Sequence, residues 1–164
     1  MTSRILACGL LVMTIILPAT ADALTGTVAL SGTSKLAPRG CGKDQGAFAT
    51  SLVVADDGTW SAQSEDASFA GTYTPKGRSG RKLALAFDEA SMAGLIASIV
   101  EDVSMLCEAP ATVTESRPKA MTLVVNRKLT SATLVVRYLF KGTAAGGSGT
   151  ATYRLRGKGT WVPG

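Results

Sequence analysis

Apolar and polar side chains alternate with a period of two along most of this chain, in short segments separated by glycine-rich breaks. Leu24, Gly26, Val28 and Leu30 alternate with Thr25, Thr27, Ala29 and Ser31. Side chains repeat their direction every second position only in an extended strand, so each such segment buries one face and wets the other. After a punctuated stretch over residues 37–46, Phe48, Thr50, Leu52 and Val54 resume the pattern. Asp56-Asp57-Gly58 then predicts a hairpin turn, because Asp-Gly tolerates the positive φ that such turns require. Further strand patterns fall at residues 59–64, 69–73, 82–87, 121–125, 129–140 and 151–161. Breaker-rich residues 75–80 and 142–149 read as loops, residues 112–119 as a polar link, and Asn126-Arg127-Lys128 as a turn. The total is about eight strands.

The period changes once. Met92, Leu95, Ile96, Ile99, Val100, Val103 and Leu106 recur at helical spacing, with Ser91, Ser98, Glu101, Asp102 and Ser104 mostly on the other side. The spacing predicts a helix from about Glu89 to Leu106. Asp88 is its N-cap and Pro110 its stop. Its apolar stripe needs cover, which a sheet face or a barrel mouth supplies.

The amino-terminal end carries an export signal. Arg4 makes a positive start, residues 5–17 form an uncharged, largely apolar run, and Ala19-Thr20-Ala21 offers small residues for cleavage. Ala21-Asp22-Ala23 is an equally acceptable cut site. A run of 13 residues is shorter than the roughly 20 a membrane-spanning helix needs. Cys8 follows Ile5-Leu6-Ala7 as in a lipid-acylation box, but most of the apolar run comes after it, which argues against lipidation. The expected division is therefore a signal peptide at 1–21 and a single exported domain at 22–164. The destination is a secreted or periplasmic compartment.

Losing Arg4 leaves 16 cationic side chains against 12 acidic ones, a mild net charge of +4. Two cysteines then remain, and in an oxidising compartment Cys41 and Cys107 are expected to form one disulfide. Arg39 and Lys43 flank Cys41 and would favour a thiolate, yet the available partner makes the disulfide the better reading. Gly42-Lys43 lacks the leading glycine and the following Ser or Thr of a phosphate loop. The single Asn, Asn126, is followed by Arg127 and Lys128 and forms no glycosylation sequon.

The chain has no histidine, which removes the usual general base and the commonest imidazole metal ligand. Acid pairs at Asp56-Asp57, Glu65-Asp66, Asp88-Glu89 and Glu101-Asp102 sit in turns, at a helix end or on a polar helix face, where solvated carboxylates are ordinary. No enzyme activity and no cofactor are expected. Basic clusters at 76–82 and 154–158 lack the interleaved aromatics that nucleic-acid binding uses, so no nucleic-acid partner is expected. Arg154 and Arg156 share one strand face with Thr152. Facing solvent, they would attract anions mildly; facing a barrel interior, they would contact an acidic head group. A membrane-spanning barrel would need apolar outer faces with aromatic girdles, and nine Trp, Tyr and Phe residues are too few.

Gly58-Thr59-Trp60, Gly71-Thr72-Tyr73 and Gly159-Thr160-Trp161 share one phrase: glycine leaves a turn, threonine starts a strand, and the aromatic drops onto the core face. With the Asp57-Gly58 hairpin and the strand-rich order, these phrases give a chain that resembles the small exported calycin-type (lipocalin-like) barrels. The family's Gly-x-Trp lies on the first strand and its main helix follows the strands; here the first strand reads Leu24-Thr25-Gly26-Thr27-Val28 and the helix interrupts the series. No binding residue is carried over from the resemblance.

The expected fold is mainly β: an antiparallel meander of about eight strands, closing into a barrel or a strongly twisted sheet, with one amphipathic helix packed on it. The expected role is a soluble binding protein for a small apolar or amphipathic ligand held between helix and sheet. The alternative is a non-enzymatic envelope structural or interaction protein with a filled core, which meets a protein partner at its surface.

Overall fold

The computed structural model describes residues 24–164. The expected signal at 1–21, both cut positions and Cys8 lie outside the described residues. Eight strands and one helix follow in the order β1 (Gly26–Pro38), β2 (Asp44–Val54), β3 (Thr59–Gln63), β4 (Ser68–Lys76), β5 (Lys82–Phe87), α1 (Glu89–Leu106), β6 (Ala111–Val125), β7 (Ser131–Ala144) and β8 (Gly147–Pro163). Each strand pairs antiparallel with the next. β8 then pairs with β1 from Gly26↔Pro163 to Pro38↔Ala151 and closes the sheet into a barrel. Closure removes the unpaired edges that an open eight-stranded sheet would present.

The period-two pattern decides what fills the barrel. Val28, Leu30, Leu36, Leu52, Val54, Leu83, Leu123, Val125, Leu134 and Val136 point inward and are buried. All nine aromatic rings lie in this core or against it. Trp60, Phe69 and Tyr138 each place their ring centroids within 6 Å of Phe87, which ties four strands together. The three Gly-Thr-aromatic phrases bury Trp60, Tyr73 and Trp161 as expected. The two tryptophans differ in one respect. The indole N–H of Trp60 donates to the Thr72 and Ala86 carbonyls at 3.0 Å each, whereas the buried N–H of Trp161 has no partner among the described residues.

Two stretches read as loops are strand. β6 begins at Ala111 rather than Met121, because Ala111–Val113 and Glu115–Pro118 pair along β7 despite register shifts at Val113/Glu115 and Pro118/Ala120. Bulges absorb the irregular polar sequence and the proline that made this stretch look like a link. Likewise β7 and β8 run through the small-residue stretch to a tight turn at Ala145-Gly146, both residues at positive φ. Such a turn matches the right-handed strand twist. Gly142 is required there for space: a Cβ would sit 1.7 Å from the Thr112 carbonyl oxygen.

The strands are unequal, and this shapes the barrel. β6, β7, β8 and β1 have 13 to 17 residues, whereas β3 and β5 have five and six. Pairing between β2 and β3 is confined to Ser51–Val54, and between β5 and β6 to Lys82–Ala84. The wall is therefore short on one side of the mouth where β5 ends and β6 begins. Helix α1 closes that mouth, burying Leu95, Ile99 and Val103 and also Ser91, which the sequence put on the polar side but which stands one turn before Leu95 and bonds to β4.

The helix is fastened at both ends. Asp88 caps it by accepting the Ser91 N–H at 2.7 Å, and that hydrogen bond holds the Asp88 carboxyl below the usual carboxylate range. The Ser91 hydroxyl oxygen in turn accepts the Ala70 N–H of β4 at 2.7 Å. At the other end the Ser104 hydroxyl donates to the Val100 carbonyl and accepts the Ala111 N–H of β6. Glu108, at φ 51°, turns the chain before Pro110 is reached. A disulfide joins Cys107, just past the helix, to Cys41 in the β1–β2 loop, with Cα atoms 5.0 Å apart. The expected disulfide is thus present, and it clamps the helix over the mouth.

Candidate functional site

Beneath the helix, where β2 outruns β3, the core does not close up. A cavity of ≈ 190 Å³ lies between Leu95 of the helix and the inward faces of the sheet. Phe48, Trp60, Phe69, Phe87, Met121 and Tyr153 supply much of its wall. Each ring arrives by the period-two rule, and the void arises because short β3 leaves the first half of β2 without a neighbour on that side. Phe48 lies along the wall over Gly32 of β1 toward Gly157 of β8, which leaves it room; a Cβ at Gly157 would stand 2.7 Å from the Phe48 ring. The cavity is chiefly apolar.

Four hydroxyl groups touch it: Ser34, Thr50, Ser64 and Tyr153. Thr50 donates to the Gln63 carbonyl at 2.9 Å, Ser64 to the Ala67 carbonyl at 3.0 Å, and Ser34, more weakly, to the Gly46 carbonyl at 3.5 Å. Tyr153 has no hydrogen-bond partner among the described residues. Its ionisation is pushed up to about 12, first by burial and then by the negative charge of Asp102 on the helix. Asp102 is itself raised, by burial and then by Asp44 and Glu101. The wall is chiefly apolar, and of its four hydroxyl-bearing residues only Tyr153 makes no hydrogen bond among the described residues.

All three tyrosines share the upward shift. Burial is the largest cause at Tyr73 and Tyr153 and the only one at Tyr138. A raised phenol keeps its proton in the folded state at a pH where the unfolded chain, with an ordinary pKa near 10, loses it. The unfolded state then binds fewer protons, so stability is full below about pH 10 and falls as pH rises toward about 12. Spectrophotometric titration at pH 10 should show less phenolate in the folded protein than in the unfolded chain, with Tyr153 last to ionise. Ordinary titration of all three at pH 10 would contradict this burial.

A second cleft, of ≈ 290 Å³, lies beside the disulfide, bounded by Ile99, Val103 and the β7–β8 hairpin. It is about as open to solvent as the first, and its wall carries the charged side chains Arg39 and Lys141. The acid pairs read as solvated are distributed as expected: Asp56, Asp57, Glu65, Asp66, Asp88, Glu89 and Glu101 are exposed, and only Asp102 is half-buried. Among the described residues no group of three or more His, Cys, Asp or Glu side chains is placed to hold a metal ion. No described helix is long and apolar enough to cross a membrane.

Arg154 and Arg156 point outward from β8 and are exposed, so neither reaches the barrel interior. The alternation puts Ala151, Tyr153, Leu155 and Gly157 inside, which forces their neighbours out. Residue types alone did not reveal the cavity, since each of its rings reads equally well as filled core. No known protein-family model matches this chain, and neither a curated protein nor a solved structure matches it.

Proposed function

We propose that this chain is an exported, soluble binding protein that holds one small apolar or amphipathic molecule between helix α1 and the barrel wall. The observation that carries this reading is the ring-lined cavity of ≈ 190 Å³ beneath Leu95. An apolar cavity of about 150 Å³ stays dry and takes up benzene, whereas drug-sized ligands occupy about 300 Å³ or more. The size class is a one- or two-ring compound or a short acyl segment. Tyr153 would donate to the ligand's polar end. Eight-stranded barrels are just wide enough to hold one small ligand, and the resemblance to calycin-type carriers supports the same reading.

The disulfide supports a secreted or periplasmic location. Solubility is supported by the outer wall, where β1 shows Thr27, Ala29, Ser31, Thr33 and Lys35. A membrane barrel turns its apolar and aromatic residues outward instead. The proposed role is non-enzymatic and needs no cofactor.

Titrating the protein with naphthalene while following the methyl signals of Leu95, Met121 and Leu134 by NMR tests the proposal. Saturable shifts confined to those groups are expected, and Ala62→Phe, which fills the cavity, should abolish them while the fold persists. Shifts on outer-wall residues, or none up to the solubility limit, would favour the filled-core envelope interaction protein instead.

A further inference from the structure

The outer wall formed by β7, β8 and β1 is electrostatically one-sided. These three adjacent strands carry six cationic side chains (Lys35, Arg137, Lys141, Arg154, Arg156 and Lys158) and no acidic one. From residue 116 to 164 the chain has nine Lys and Arg residues and no Asp or Glu. The described carboxylates lie elsewhere, on the helix, in the end loops, at Asp44 at the start of β2 and at Glu115 of β6. Only Lys141 of the six finds an ion-pair partner among the described residues, Glu115 at 2.9 Å.

The register aligns the remaining charges. Lys35 and Arg137 both stand directly opposite Arg154, on either side of β8. Arg156 and Lys158 continue outward along β8, opposite Thr33 and Ser31 on β1. Spacing follows from sheet geometry: about 4.8 Å between strands and about 7 Å between alternate residues of one strand. The result is a row of three cations across the wall, joined to a column of three along it. A groove of ≈ 250 Å³ runs through their junction, where Lys35, Arg137, Arg154 and Arg156 stand with Thr33, Gln45 and the outward Val135. Like charges directly opposite on neighbouring strands are destabilising, so nothing in the fold's own energetics calls for this arrangement.

We propose that this stripe binds a linear acidic polysaccharide, lying along β8 with its carboxylate or sulfate groups against Lys35, Arg137, Arg154 and Arg156. Three observations select that partner among polyanions. Single-stranded nucleic acid is held by stacking on aromatic rings, and every ring of this chain is turned inward. Membrane-surface binding adds inserted apolar groups to charge, and an acidic protein partner brings an apolar contact centre; the groove offers one outward apolar side chain, Val135, set among four cations, too little for either. The flanking outward residues include the hydroxyl side chains Ser31, Thr33, Thr133 and Thr160, suited to hydrogen bonding with sugar oxygens.

The proposal is independent of the internal cavity and is tested separately from it. The full-length mature protein is titrated with a heparin octasaccharide and with an oligogalacturonate of equal length, by calorimetry at low salt. Binding of at least one of them is expected. Engagement of four cations weakens it by roughly fifty-fold between about 50 and about 200 mM salt, by the counterion-release relation for flexible polyanions. Arg154→Ser combined with Arg156→Ser should lower affinity at least tenfold and leave the melting temperature unchanged or raised. Lys76→Ser with Lys82→Ser removes the same charge from the opposite side of the barrel and should change affinity less than twofold. Equal loss in both pairs would overturn the proposal. So would an absence of binding to either oligosaccharide, or tighter binding to polyglutamate or to phosphatidylglycerol vesicles.

Discussion

Ile99→Asp is expected to abolish the folded state or to lower its stability by about 3 kcal/mol or more, the range for burying an unpaired charge in a core. Ile99 is 1% exposed and stands midway along the buried stripe of α1, between Leu95 and Val103. A carboxylate there would face the barrel interior, with no described cation in the core to meet it. The neighbouring Ser98→Asp supplies the control. Ser98 is exposed on the outer side of the same helix turn, so the same new charge should shift stability by no more than about 0.5 kcal/mol. Urea denaturation of both variants separates the two effects. An unchanged midpoint for Ile99→Asp would mean that the helix does not plug the mouth.

The second large effect concerns the clamp. Cys41 and Cys107 are separated by 66 residues, and in the chain-entropy model closing such a loop contributes about 4 kcal/mol. The Cys41→Ser, Cys107→Ser double variant should lose stability on that scale in thermal or urea melts. Its loss should appear first as loosening of the helix's carboxyl-terminal half, read as faster amide exchange around Val103. Mass analysis of the wild-type mature protein under non-reducing conditions should find no free thiol, and two free thiols would remove the basis for the effect.

Local signals account for a large part of the fold. Helix α1 could be placed from Glu89 to Leu106 because its period change, its Asp88 cap and its apolar stripe all act within the segment itself. The strands with clean alternation, such as β2 and β5, were readable for the same reason. β6 was only half readable: Thr112, Thr114 and Ser116 do not alternate with strongly apolar partners, and Pro118 looks like a breaker. What makes that stretch a strand is its long neighbour β7, a partner distant in sequence. Closure is likewise non-local, since it depends on β8 meeting β1.

The site was less legible. Tyr153, Phe48 and Phe69 announce core and nothing more. The void among them follows from the mismatch in length between β2 and β3, and the place of Phe48 follows from two registers that set Gly32 and Gly157 beside it. Arg154 and Arg156 were visible as a pair on one strand face, but their company of Lys35 and Arg137 depends on two cross-strand registers. In both cases the residue types are visible in the sequence while their coincidence in space is not.

Because the ring is sealed by its first and last strands, assembly has a compulsory order. Until Gly147–Pro163 is in place, β1 waits with one hydrogen-bonding margin bare, however early the hairpins beside it have formed. That pairing spans nearly the entire described sequence, so it incurs the largest entropic cost and comes late. A ribosome or translocation pore still holding those closing residues would therefore hold back the whole domain. A chain stalled there would offer a bare strand margin to any neighbour.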